Sequence, residues 1–217
     1  AWAAGLAPVL LASALLLPMG LLAHRVARGA LADRLAWVGL LCMGLFSSLL
    51  VLTALRDVML AAVWVAATLG WSPAQALLPG LRADSAVLVP LAALVVTVLG
   101  FWNARRTARV VRVDVPVAAL PAALEGFTVA QITDIHVGPT IKQHYLQAIV
   151  HKVNALEADM VAITGDLVDG KVHELADHVA PLAQLRSRHG TFFFIGNHEY
   201  YSGAHAWMAE LRRLGVR

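Results

Sequence analysis

Three short polar motifs hold the residues best suited to chemistry: Asp134-Ile135-His136, Gly165-Asp166-Leu167-Val168-Asp169 and Gly196-Asn197-His198-Glu199. Side chains two apart on an extended segment project to the same side, so Asp134 and His136 can converge on one cation while Ile135 turns back to a core. Asp166 stands between a glycine and a hydrophobic pair, where Gly165 lets the backbone turn and removes side-chain bulk near a ligand. A carboxylate in that position can bridge two metals. Asn197 offers a neutral amide oxygen to a hard divalent ion, and His198 is a titratable ring next to the carboxylate of Glu199. The last pair sets an acid beside an orienter.

Each motif follows an expected strand. The strands are read at 127–133, 159–164 and 190–196, the last as a buried strand with a Phe192-Phe193-Phe194-Ile195 centre. Helices are expected at 142–157, with Tyr145, Ile149, Val153 and Leu156 on one face, at 172–186, and at 203–214 with Trp207, Leu211 and Leu214 aligned. Strands alternating with helices imply a layered α/β domain. In open α/β sheets ligands bind in the crevice beyond the carboxyl ends of the strands, the position that all three motifs share. A further half-buried strand is expected at 111–115, where Val111, Val113 and Val115 alternate with Arg112 and Asp114. His144, His151, His173, His178 and His189 read as surface residues, and Tyr200 and Tyr201 either line the pocket or pack its loop.

The first half of the chain is of a different kind. Of 217 residues 59% are hydrophobic and 14% charged, against about 25% charged in a soluble domain, and the apolar excess lies before residue 103. Uncharged runs at 3–23, 35–55 and 86–102 are each near the roughly 20 residues that an α-helix needs to cross a bilayer. A fourth run, 58–78, follows the interruption at Arg56-Asp57 and is weakened by Gly70, Ser72 and Pro73. The expected organisation is therefore a membrane region at 1–104 with three or four helices and the first part of an α/β domain at 105–217. The net charge of +3 is small, but arginines cluster at 25, 28 and 34 and again at 105, 106, 109 and 112. That placement suits lipid headgroups rather than nucleic acid. Placing both clusters on the cytoplasmic face needs an even number of crossings between them. Three runs lie between them, which leaves the side of the soluble domain open. Cys42 is the only cysteine, so no disulfide or cysteine-based zinc site arises within the chain.

The order and spacing of the three motifs resemble the calcineurin-like metallophosphoesterase family, in particular membrane-attached bacterial members whose catalytic domain follows several hydrophobic segments. The resemblance covers about residues 110 to 217. It implies two divalent metal ions (Mn, Fe, Zn or similar), with Asp134 and His136 on the first, Asp166 bridging both and Asn197 on the second. His198 would contact the phosphate and leaving group, Glu199 would orient His198, and Asp169 would support the loop. The implied activity is hydrolysis of phosphomonoesters or phosphodiesters through a bridging hydroxide. Metals about 3.5–4 Å apart neutralise an anionic ester, lower the pKa of a shared water and clamp the attacking and leaving oxygens.

The family pattern also holds a further histidine ligand and a closing Gly-His-x-His motif, which are expected beyond Arg217; His205, without a glycine before it or a histidine two residues on, does not replace them. The chain is accordingly read as the N-terminal portion of an enzyme. Its expected partners are a phosphate-ester substrate, carried on a lipid or nucleotide, and membrane lipids. The rival reading is an inactive phosphoesterase-like binding module on a membrane anchor.

Overall fold

The computed structural model describes residues 2–217 and divides them into two compact units that meet between Arg106 and Thr107. The first unit is wholly helical: α1 (Trp2–Leu16), α2 (Met19–Val26), α3 (Gly29–Thr68) and α4 (Ser72–Ala104). Two of these helices, α3 with 40 residues and α4 with 33, are long and apolar enough to cross a membrane. The count rises to three if α1 and α2 form one bent span.

This differs from the expected division into runs. Arg56 and Asp57 do not end a helix, because α3 continues through them to Thr68 and the chain turns only at 69–71. Residues 58–78 are therefore the far end of α3, the turn and the start of α4, and not a separate span. The continuation is possible because Arg56 is satisfied within the helix pair: its Nε donates to Ser85 Oγ at 2.8 Å and its Nη1 to Asp57 at 3.0 Å. The run 3–23 is likewise not one straight helix. It bends by 52° around Leu17 and Pro18, since a proline removes a helical hydrogen bond and clashes with the preceding turn. Small residues set the packing of α2 on α3, where a Cβ at Gly39 would collide with the backbone of Gly20. Such small-on-small contacts let helix backbones approach closely.

In the second unit a parallel three-stranded sheet, ordered β1 (Val129–Ile132), β2 (Met160–Ile163) and β3 (Thr191–Phe193), pairs Ile132 with Ile163 and Ile163 with Phe193. Helices α5 (Gln143–Asn154) and α6 (Val172–Val179) make the connections from β1 to β2 and from β2 to β3. After β3 come α7 (Asn197–Ser202) and α8 (Ala204–Arg213). Leu146, Val150, Val161, Ile163, Trp207 and Leu211 are central in one buried core. The helix expected to reach residue 186 ends at Val179 and continues as a 3-10 turn, Ala180–Gln184, because Pro181 suits the start of a turn and not a helix interior.

Burial along the sheet is uneven. Central β2 is covered on both faces, with Val161, Ala162 and Ile163 all buried, whereas β3 buries Thr191 and leaves Phe192 and Phe193 half-exposed and Phe194 exposed. The strand read as fully buried is thus only partly so. The strand expected at 111–115 does not form: the segment has no ladder partner among the described residues, and Val111, Val113 and Val115 are 77, 74 and 75% exposed. Alternation produces a strand only where a neighbouring backbone accepts the pairing.

Candidate metal centre

The three motifs meet at the carboxyl ends of β1, β2 and β3. Beyond Ile132 and Ile163 the β1–β2 pairing does not stop; it continues through the motifs by Asp134 N–H to Gly165 O (3.2 Å), His136 N–H to Asp166 O (3.0 Å) and Val137 N–H to Leu167 O (2.8 Å). The continuation is possible only with unusual backbone. Asp134, His136 and Asp166 have φ of 53°, 51° and 51°, and they are three of the five non-glycine residues with positive φ among those described. This left-handed region is crowded for residues with a Cβ, though aspartate, asparagine and histidine occupy it more often than most. Such outliers persist where the surrounding structure over-determines them, and they gather at functional sites.

Two glycines allow the second and third loops to touch. A Cβ on Gly165 would lie 2.7 Å from the backbone of Gly196, and one on Gly196 would collide with Asp166. Asp166 can therefore reach the third motif, where its Oδ1 accepts the His198 N–H at 3.0 Å.

Ligand atoms of His136, Asp166 and His198 all lie within 4.8 Å of one another. The two imidazoles meet edge to face with centroids 4.4 Å apart. Both turn Nδ1 toward one oxygen of Asp169, at 2.9 Å for His136 and 2.7 Å for His198. A carboxylate only accepts, so each Nδ1 carries the proton, and in the neutral ring Nε2 keeps its lone pair. Asp169 thus selects the tautomer in which both histidines can act as ligand or base through Nε2, the usual role of a carboxylate behind a metal-binding histidine. Burial pulls the His136 pKa down, but the hydrogen bond and charge of Asp169, helped by Asp166 and Asp134, more than offset it and raise the ring above its ordinary 6.5.

The placement of the remaining expected residues is mixed. Asp134 lies at the margin of the cluster, its Oδ1 3.9 Å from His136 Nε2 and its Oδ2 accepting from the Thr133 hydroxyl at 2.6 Å. Asn197 is exposed at the start of α7. Glu199, expected to orient His198, does not contact its ring: it is fully buried and accepts backbone N–H groups instead. The carboxylate that hydrogen-bonds the His198 ring is Asp169. Its role was signalled only by the three-residue spacing from Asp166, which by itself reads equally as loop support. Tyr201 stands edge-on to His198 at 6.1 Å and is largely exposed.

The donor set of two imidazoles and a carboxylate within one small sphere fits a divalent cation of the Mn, Fe or Zn type. Four or more ligands are usual for such ions, and Asp134, with Oδ1 3.9 Å from His136 Nε2, offers a further donor at the margin.

A parallel α/β unit with such a cluster at its strand ends is in keeping with the resemblance that the motifs carry, and comparison with known proteins agrees. Residues 127–216 match the family described as calcineurin-like phosphoesterase, so the resemblance carried by the three motifs holds over most of the second unit but not over 107–126. The chain is 43% identical over 138 residues to a bovine transmembrane protein with metallophosphoesterase domain, covering 63% of this chain and 30% of that protein. It is 37% identical over 111 residues to a metallophosphoesterase of Campylobacter jejuni, covering 51% of this chain and 29% of that one. Over 80 residues it is 32% identical to the UDP-2,3-diacylglucosamine pyrophosphatase LpxG of Chlamydia muridarum, covering 36% and 24%. The chain spans about three tenths of the length of the first two relatives. No solved structure matches it significantly.

Proposed function

We propose that this chain carries metal-binding residues of a membrane-tethered, metal-dependent phosphoesterase that hydrolyses phosphomonoesters or phosphodiesters at a centre of two divalent cations. The observation that carries the reading is the convergence of His136, Asp166 and His198 at the ends of three parallel strands. His136 and Asp134 would hold one cation, Asp166 would serve both and Asn197 the second. When bound, the cations would supply charge neutralisation at the ester and a water acidic enough to attack near neutral pH.

The chain's own groups supply the rest. Asp169 holds Nδ1–H of His198, so Nε2 is the atom that gives or takes a proton at the leaving oxygen. Asp166, fixed through the His198 N–H, keeps its second oxygen for the crevice. Membrane attachment, together with a relative named as a UDP-2,3-diacylglucosamine pyrophosphatase, supports a phosphate ester carried on a lipid or nucleotide.

The length and apolar character of α3 and α4 support a multi-pass topology. Taken as two crossings, they return the chain to the face it left, so the basic clusters at 25–34 and 105–112 share one side. The positive-inside tendency makes that side cytoplasmic, and with it the soluble unit. Arg105 over the Trp37 ring at 5.2 Å, next to the edge-on pair Trp37–Phe101, has the character of an aromatic interface belt at that boundary.

The test is turnover of bis-p-nitrophenyl phosphate by the whole protein in detergent with added Mn²⁺. Wild type is expected to be active and Asp166→Asn inactive while still folded. Activity retained in Asp166→Asn would refute the assignment. Binding of metal and ester by wild type without turnover would favour the inactive binding module instead.

A further inference from the structure

Glu199 is the one charged side chain fully buried among the described residues, and the chemistry proposed above gives it no task. A buried carboxylate is costly unless its oxygens are satisfied. Here both oxygens are saturated by backbone. Oε1 accepts the N–H of Leu167 at 2.7 Å and of Val168 at 3.3 Å, while Oε2 accepts the N–H of Asp166 at 3.0 Å and of Gly196 at 2.8 Å. Three of these donors belong to the second motif and one to the third, so a single side chain ties together two loops that are distant in sequence.

The loops it ties cannot hold themselves. The Asp166 backbone is in the left-handed region, which turns its N–H away from the sheet ladder, and Gly165 and Gly196 meet backbone to backbone with no side chains to pack. Without a common acceptor, Asp166, Leu167 and Gly196 would each lose the partner of a donor that is partly or wholly buried. The carboxylate collects these donors in a concave nest, a form of backbone that favours a bound anion. Its distance from His198 is also functional. It acts on the backbone that carries Asp166 and His198 and leaves the His198 ring to Asp169.

We infer that Glu199 is a positioning residue: it serves as an internal anion that sets the separation of the second and third motif loops and thereby aims the Asp166 carboxylate at the metal centre. The inference rests on the proposed reading of the site as metal-dependent. It separates Glu199 from Asp169, which hydrogen-bonds Nδ1 of both rings.

The experiment compares the whole protein in detergent as wild type, Glu199→Gln and Asp169→Asn, reading Mn²⁺ affinity by titration and the pH profile of kcat on bis-p-nitrophenyl phosphate. Glutamine keeps the shape but offers one acceptor oxygen, and its amide hydrogens face backbone donors. Glu199→Gln is expected to weaken Mn²⁺ binding by about 10- to 100-fold, the range for outer groups that hold ligands, with kcat partly rescued at high Mn²⁺ and its pH profile unshifted. Asp169→Asn is expected to shift that profile. Unchanged Mn²⁺ affinity in a folded Glu199→Gln protein would overturn the inference, and so would a pH profile displaced as in Asp169→Asn. If Glu199→Gln does not fold, hydrogen exchange in the wild type decides: the amides of Asp166, Leu167 and Gly196 must exchange as slowly as those of β2, and fast exchange overturns the idea. Failure of wild type itself to bind Mn²⁺ would instead count against the proposed function.

Discussion

The two ends of one small sheet obey different rules. At the amino ends of β1 and β2, polar groups answer one another locally: Asp159 accepts from the Thr128 N–H at 2.9 Å and from its hydroxyl at 3.0 Å, and the His189 N–H donates to Asp159 O at 2.8 Å. Phe127 and His189 rings lie 5.4 Å apart beside them. At the carboxyl ends three non-glycine residues take left-handed backbone, two glycines are pressed together, and two imidazoles crowd one carboxylate oxygen. The first end spends its polar groups on closing the fold. The second gathers the ligand atoms of His136, Asp166 and His198 within 4.8 Å of one another, and the proposed metal centre rests on that difference.

The sharpest way to break this contrast is at Asp169. Asp169→Asn should lower kcat or metal affinity by about 10- to 100-fold, because an amide can present its NH₂ to a ring nitrogen and reverse the tautomer. The check is steady-state kinetics with a Mn²⁺ titration; activity within twofold of wild type would show that the histidines need no orienter.

A smaller effect follows from the raised His136 pKa. A group whose folded pKa exceeds its unfolded value of 6.5 contributes stability that is fully present below that value and is lost as pH rises through the folded pKa. Thermal unfolding of chelator-treated protein should therefore show a lower midpoint at pH 8 than at pH 6, a slope flattened by His136→Asn. Added Mn²⁺ should offset the loss, since metal takes the neutral ring. A slope identical in His136→Asn would assign it to other groups.

The smallest change is expected at the opposite end. Asp159 has its pKa lowered by the Thr128 backbone hydrogen bond first and the Thr128 hydroxyl second. Its contribution is present above the ordinary value of 3.8 and lost as pH falls through the folded value. Asp159→Asn should thus reduce stability slightly at neutral pH, with the difference from wild type vanishing in acid, and leave turnover and Mn²⁺ affinity unchanged. Denaturant melts at two pH values together with an activity assay check this; a loss of activity would mean that the two ends are coupled.

Much of this was legible in the residues. Periodicity located β1, β2 and β3 within a few positions, and of the face expected for α5 Ile149 and Val153 lie in the core and Tyr145 packs against it, whereas Leu156 falls beyond the helix and is exposed. Alternation misled at Val111, Val113 and Val115, because a period of two reports which side chains could share a face and not whether a neighbouring strand exists. Charge misled at Arg56-Asp57. Hydropathy registers an interruption there, while Ser85, 29 positions away, accepts a hydrogen bond from Arg56 and lets the helix run on. The contacts of Glu199 and Asp169 differ from expectation for a similar reason: adjacency to His198 in the chain says little about contact once a helix begins at Asn197 and turns successive side chains apart.

By itself, then, the sequence determined the family resemblance, the apolar character of the first half, and the residue types gathered at the ends of the strands. These depend on composition, local period and motif spacing, all of which are written along the chain. Only the tertiary structure decided that α3 and α4 are two long helices, that Asp169 faces both histidines and that Glu199 faces backbone. Each of those outcomes depends on a partner supplied by a distant segment, and hydrogen bonds of that kind form only once the sheet has brought the loops together.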